Sequence, residues 1–150
     1  MVTFVGMKDD FGADLVDLVE LEFDALEAYD AAIARLENEE YKDNLMSFRD
    51  DHERHIKDLS DLLRKNNIDA PTQTSGAKHW MTKGKVVLGN LVGDRTILRA
   101  MRSNEIDTNT AYERICNHEN MWAEARFILQ EAFKDEKRHK EWLNSVIETE

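Results

Sequence analysis

The chain has 150 residues and carries 31 Asp and Glu against 20 Lys and Arg, a formal net charge of −11. That length suits one domain, 1–150, which buries roughly two-thirds of its unfolded surface without needing disulfides or structural zinc. The acidic balance opposes phosphate backbones and anionic lipid, and charge breaks every apolar stretch, so neither nucleic acid nor a membrane is an expected partner.

The only proline is Pro71, and the six glycines fall at Gly6, Gly12, Gly76, Gly84, Gly89 and Gly93, leaving two long blocks open to helix. Met1 to Asp10 lacks the basic and then apolar pattern of a secretory leader, and Cys116 is the only cysteine. Both features fit a reducing, cytoplasmic setting. A first helix is predicted over about 12–37 and a second over about 39–66, with Asn38 as its N-cap and Asn66, Asn67 and Pro71 at its end. Residues 72–93 are expected to form a crossover whose apolar patch, Trp80, Met81, Val86, Val87, Leu88, Leu91 and Val92, serves as a lid on the bundle, a homodimer contact or a docking site. A third helix follows over about 95–118, capped by Asp94, and a fourth over about 121–147, capped by Asn120 or Asn117. Short joints make each pair an antiparallel hairpin.

The two halves correspond. Glu22-x-Asp24-x-x-x-Ala28-Tyr29 in the first helix matches Glu105-x-Asp107-x-x-x-Ala111-Tyr112 in the third. Asp51-His52-x-Arg54-His55, with Leu59 beyond, matches Asp135-Glu136-x-Arg138-His139, with Leu143 beyond. One helical hairpin is used twice about an approximate two-fold axis, and the expected fold is an all-α antiparallel four-helix bundle joined by a long crossover.

Steps of three and four define the face each helix turns inward. The four faces run Leu15, Leu18, Glu22, Ala25, Tyr29, Ala32, Leu36; Leu45, Phe48, His52, His55, Leu59, Leu62; Leu98, Met101, Glu105, Thr108, Tyr112, Ile115; and Leu129, Ala132, Glu136, His139, Leu143, Val146. Each is apolar at both ends and polar in the middle. Three carboxylates cannot share a buried layer ionised without a cation, because burying each costs several kcal/mol. Glu22, Glu105, Glu136, His52, His55 and His139 therefore form a candidate metal-ligand set of oxygen and nitrogen donors, suited to iron or manganese, with zinc an option. A metal-free network in which Glu and His pair with one another is the alternative. His79 and His118 fall outside these faces and are expected to be solvated, and Cys116 to be a small packed group.

Glu22 and Glu105, each with a Tyr seven residues on, together with Glu136-x-x-His139, resemble the di-iron ferritin-like superfamily. The Asp-His-Glu-Arg-His stretch at 51–55 is similar to small bacterial ferritin-like proteins related to bacterioferritin and rubrerythrin. The resemblance implies a dinuclear centre, commonly iron, that reacts with O2 or H2O2. It implies Glu22 and Glu105 as terminal carboxylates, Glu136 as a bridge, and His55 and His139 as ligands. One position departs: the first Glu-x-x-His of the superfamily is here His52-x-x-His55. Three Glu offset −3 of the +4 on two divalent ions, so His52 is expected as a terminal ligand and a solvent-derived anion as the missing bridge. Asp51 and Asp135 are expected to accept a hydrogen bond from a ligand histidine of the opposite hairpin. Tyr29 and Tyr112 are candidate catalytic residues; the simpler reading has each hydroxyl bonded to a ligand carboxylate.

The expected function is thus a ferroxidase or peroxidase of iron handling or oxidative defence, acting on Fe2+ and O2 or H2O2. A single cysteine cannot build a rubredoxin module, so any electron donor is external. The rival readings are a static buffer for zinc, manganese or iron, and a metal-free interaction bundle.

Overall fold

A computed structural model describes residues 3–73 and 91–149. Four helices dominate: α1 Phe11–Arg35, α2 Glu39–Lys65, α3 Asp94–Cys116 and α4 Arg126–Thr149, the last preceded by a 3₁₀ turn at Ala123–Ala125. No strand occurs among the described residues. α1 packs along α2 and α3 along α4, and the hairpins meet more closely through α1 and α3 than through α2 and α4. Small buried side chains, Ala25, Ala28 and Ala32 of α1 and Ala111 of α3, fit that close approach. The architecture is the expected all-α four-helix bundle.

Local chemistry sets most helix ends. Asp10 caps α1 by accepting the Ala13 N–H at 3.2 Å, and Asn38 caps α2 through the Tyr41 N–H at 3.1 Å. α2 stops where Asn67 turns left-handed at φ 61°, which lets the Ile68 N–H return to the Leu63 carbonyl at 3.0 Å. Two predicted caps are corrected. Asp94 does not cap α3, whose start at Gly93 has no side-chain cap. Its carboxylate instead accepts the N–H groups of Glu37 at 2.8 Å and Asn38 at 2.9 Å, pinning the α1–α2 turn to the second hairpin. Neither Asn117 nor Asn120 caps α4. The Asn117 amide turns back to the Glu113 carbonyl and the Asn120 amide holds the Asp9 carbonyl, so α4 starts later, through the 3₁₀ turn.

All the predicted inward positions are buried except Val146, where Ile147 takes the core place. The segment before α1 lies against α3: the Thr3 N–H meets Asp107 at 3.1 Å, and Arg114 donates to the Val5 carbonyl at 3.2 Å. Gly6 is needed there, with φ 93° and the Arg114 Cβ only 2.7 Å from where a Cβ of its own would sit. His118 is not solvated as expected. Its ring packs edge-on against Phe11, with Nε2 2.8 Å from the Lys8 carbonyl and 3.2 Å from the buried Asp14. Most of the crossover, His79 included, lies outside the described residues; of its apolar patch, Leu91 packs on the core and Val92 is exposed.

Asp94→Ala removes two acceptors that join the hairpins and is expected to destabilise the protein by about 1–2 kcal/mol, read from urea unfolding. An unchanged midpoint contradicts this role.

Candidate metal centre

The six polar residues of the inward faces meet in one layer at mid-height. Glu22 comes from α1, His52 and His55 from α2, Glu105 from α3, and Glu136 and His139 from α4, and water reaches essentially none of them. The apolar layers that bracket them include Leu18, Leu59, Met101 and Leu143, all fully buried.

Their donor atoms fall into two sets of four, each with all its atoms within 4.8 Å of one another: Glu22, His52, His55 and Glu136, and His52, Glu105, Glu136 and His139. In the first set Glu22 Oε2 lies 2.8 Å from His52 Nδ1 and 3.5 Å from His55 Nδ1. Glu136 Oε1 completes it, 3.3 Å from His55 Nδ1 and 3.4 Å from His52 Nδ1. In the second, Glu105 Oε1 lies 3.3 Å from His52 Nε2 and 3.5 Å from His139 Nδ1, which is 3.6 Å from Glu136 Oε2. An ion with bonds of about 2.0–2.1 Å holds its donors roughly 3.0–3.4 Å apart, so these spacings suit metal coordination. The buried atoms His55 Nδ1, His139 Nδ1 and Glu136 Oε1 have no hydrogen-bond partner, although buried polar atoms rarely go without one. Each of the three belongs to one of these sets. The residues present therefore fit metal ions.

Supports cross between the hairpins. His55 Nε2 donates to Asp135 at 2.9 Å and His139 Nε2 to Asp51 at 2.7 Å, the exchange expected from the sequence, and both leave Nδ1 facing the layer. The Tyr112 hydroxyl donates to Glu22 Oε1 at 3.0 Å and the Tyr29 hydroxyl to Glu105 Oε1. Four further residues contribute, of which Arg54, Arg138 and the inward-facing Thr108 stand in the sequence patterns without an assigned role and Asn109 does not. Arg54 and Arg138 each bridge both Asp51 and Asp135, closing a ring of alternating charge over the α2–α4 face. Their signal was present in the repeated Asp-x-x-Arg spacing. The Thr108 hydroxyl sits 3.0 Å from Glu105 Oε2 and 3.2 Å from Glu136 Oε2, and the Asn109 amide ties the Glu105 and Glu136 carbonyls at 2.7 and 3.0 Å. Beside His55, a cleft of about 260 Å³ between α2 and α4 is flanked by Asp58, Glu131 and Asp135.

Without metal, protons do the neutralising. Burial works to lower each imidazole pKa, and the carboxylates more than reverse it: His52 rises to about 10 through Glu136 and Glu22, His55 to about 12 through Glu22 and Asp135, and His139 to about 11 through Glu105 and Asp51. Against burial, His52 and His55 hold Glu22 below the usual carboxylate range, and His139 and His52 do the same for Glu105. Burial raises Glu136, and the charges of Glu105 and Glu22 push the same way while His52 opposes. Both tyrosines are driven well above their ordinary value by burial and by the carboxylates they contact, so they remain hydroxyl donors. Burial alone lifts the half-buried Cys116 thiol to about 11, which keeps it a protonated packing group.

Fold and site together define a helical bundle of two matched hairpins with buried Glu and His groups that can hold metal ions. Residues 10–118 match the family described as "Domain of unknown function (DUF2383)", and the chain belongs to that family. The matched stretch spans α1 to α3 and ends before Glu136 and His139. A crystal structure of a conserved hypothetical protein, rv2844, from Mycobacterium tuberculosis shares the fold, with a TM-score of 0.75 over 91% of this chain and 89% of that one at 18% identity. No curated protein matches the chain.

The raised imidazoles fix the pH response of the metal-free protein. Their contribution is complete below the unfolded histidine value of about 6.5 and drains away as pH climbs toward folded values of about 10 to 12. The depressed carboxylates Glu22, Glu105, Asp51 and Asp135 act at the other end, adding stability above their unfolded range of about 4 and losing it as pH falls. The Tm of chelator-stripped protein is therefore expected to peak near about pH 5–6 and fall steadily to pH 9. A rise across that interval contradicts this charge assignment.

Proposed function

We propose that the bundle is a ferritin-like dinuclear metal protein that binds two ions, iron by preference with manganese or zinc as substitutes, and acts as a ferroxidase or peroxidase toward Fe2+ and O2 or H2O2. The observation that carries this reading is the pair of buried four-donor sets sharing Glu136 and His52, with partnerless His55 Nδ1, His139 Nδ1 and Glu136 Oε1 within them. When bound, the ions supply the redox change.

The chain's own residues bind, orient and enclose. Glu22 and Glu105 serve one set each, and Glu136 offers Oε1 to one and Oε2 to the other. Tyr112 fixes Glu22 through Oε1, leaving Oε2 toward His52 and His55. Asp135 and Asp51 hold the protons on Nε2 of His55 and His139, so each ring presents a neutral Nδ1 once an ion replaces the proton there. The bracketing leucines and Met101 exclude water, which strengthens every charge interaction in the layer. On this reading cations enter at the cleft beside His55, where Asp58, Glu131 and Asp135 outnumber Arg54. The second reading, a static metal buffer, draws on His52, since a third histidine makes the donor set better suited to zinc than a four-carboxylate site is.

Stripped protein titrated with Fe2+ under nitrogen is expected to take up two ions per chain and gain thermal stability. Admitting air should then produce a near-ultraviolet ferric band that turns over with further Fe2+. Glu136→Gln should cut iron uptake at least about 10-fold. A single inert zinc per chain supports the buffer instead, and no uptake with an unchanged Tm supports the metal-free network.

A further inference from the structure

His52 differs from the other two histidines of the layer in what its second nitrogen meets. His55 and His139 each turn Nδ1 to one donor set and spend Nε2 on an aspartate outside it, Asp135 at 2.9 Å and Asp51 at 2.7 Å. His52 has no such aspartate. Its Nδ1 lies 2.8 Å from Glu22 Oε2 and 3.4 Å from Glu136 Oε1, and its Nε2 lies 3.3 Å from Glu105 Oε1. The ring is fully buried, tilted against Tyr29 at 5.0 Å between centroids, and belongs to both four-donor sets, with Nδ1 toward Glu22 and Glu136 and Nε2 toward Glu105.

Building on the two-metal reading, we propose that His52 bridges the two ions through its imidazole. Nδ1 ligates the ion held by Glu22, His55 and Glu136, and Nε2 the ion held by Glu105, His139 and Glu136. A terminal His52 would leave its second nitrogen against another ligand carboxylate and no separate acceptor, unlike both neighbours. As a bridge, each nitrogen has a role, and each ion has four donors from the chain. A ring bound through both nitrogens has no N–H and carries one negative charge. With the three glutamates it brings −4 to the +4 of two divalent ions, the balance that the missing fourth carboxylate would otherwise leave open.

The bridge also sets a distance. Ions bound about 2.0–2.1 Å from the two nitrogens of one imidazole stand roughly 6 Å apart, whereas dinuclear sites of the ordinary kind hold their ions ~3.5–4 Å apart. Crystals loaded anaerobically with Fe2+ and measured at the iron absorption edge locate the ions directly. The expected result is two ions per chain roughly 6 Å apart with the His52 ring between them. His52→Glu should keep two ions and draw them to about 4 Å, and His52→Ala should weaken binding of the second ion by about 10–100-fold. Two ions ~3.5–4 Å apart in the unaltered protein, with His52 on one alone, overturn the bridge and leave the metal reading standing. So does His52→Ala binding both ions with unchanged affinity. Absence of iron from the unaltered protein overturns the metal reading and the bridge with it.

Discussion

Three carboxylates and three imidazoles share a layer from which water is excluded, and the structure is arranged around keeping that layer neutral. Each buried ion costs several kcal/mol unless paired and hydrogen-bonded, a large share of the roughly 5–15 kcal/mol that holds a domain of this size together. The fold meets the cost with protons when no metal is present. His52, His55 and His139 take them up far more readily than free histidine, and Glu22 and Glu105 stay ionised beside them. Metal ions held there, as proposed above, would neutralise the same carboxylates and engage His55 Nδ1, His139 Nδ1 and Glu136 Oε1, which have no hydrogen-bond partner. On the proposed reading one charge problem has two solutions, linked by proton release.

Pseudo-symmetry makes the solution stable. Four supports cross between the hairpins, Asp135 for His55, Asp51 for His139, Tyr112 for Glu22 and Tyr29 for Glu105, while Thr108 and Asn109 hold Glu105 and Glu136 from within their own hairpin. The layer therefore forms only when the hairpins dock, and the docked state is specified by polar contacts as well as by apolar packing. The Asp51, Arg54, Asp135 and Arg138 ring closes the more open α2–α4 side with no net charge of its own.

Much of this was legible in the sequence because the layer breaks an otherwise apolar period. Glu22 and Glu105 stand out among leucines and alanines at three-four spacing, and the repeat locates their partners. The crossed aspartates could be read because an acid one residue from a ligand histidine lies beside the inward face. Positions governed by tertiary contact were not legible. Asp94 has the right identity and place for an N-cap, yet the α1–α2 turn offers its carboxylate two N–H groups, and a cap offers one. His118 sits beyond the third inward face, and only the fold brings Lys8 and Asp14 to it. Val146 and Ile147 are equally apolar, and a small rotation at the end of α4 decides between them. The two directions of His52 could not be inferred from spacing, since a side chain's position along a helix does not say where each ring nitrogen points.

If the metal reading holds, metal ions and imidazole protons compete for one buried set of carboxylates. Calorimetry of anaerobic Fe2+ binding at pH 7, repeated in buffers of different ionisation enthalpy, counts the protons expelled per ion most directly. Saturable binding in which each ion displaces at least one proton to solvent is the expected result. Binding with no proton release, or no binding at all, contradicts it.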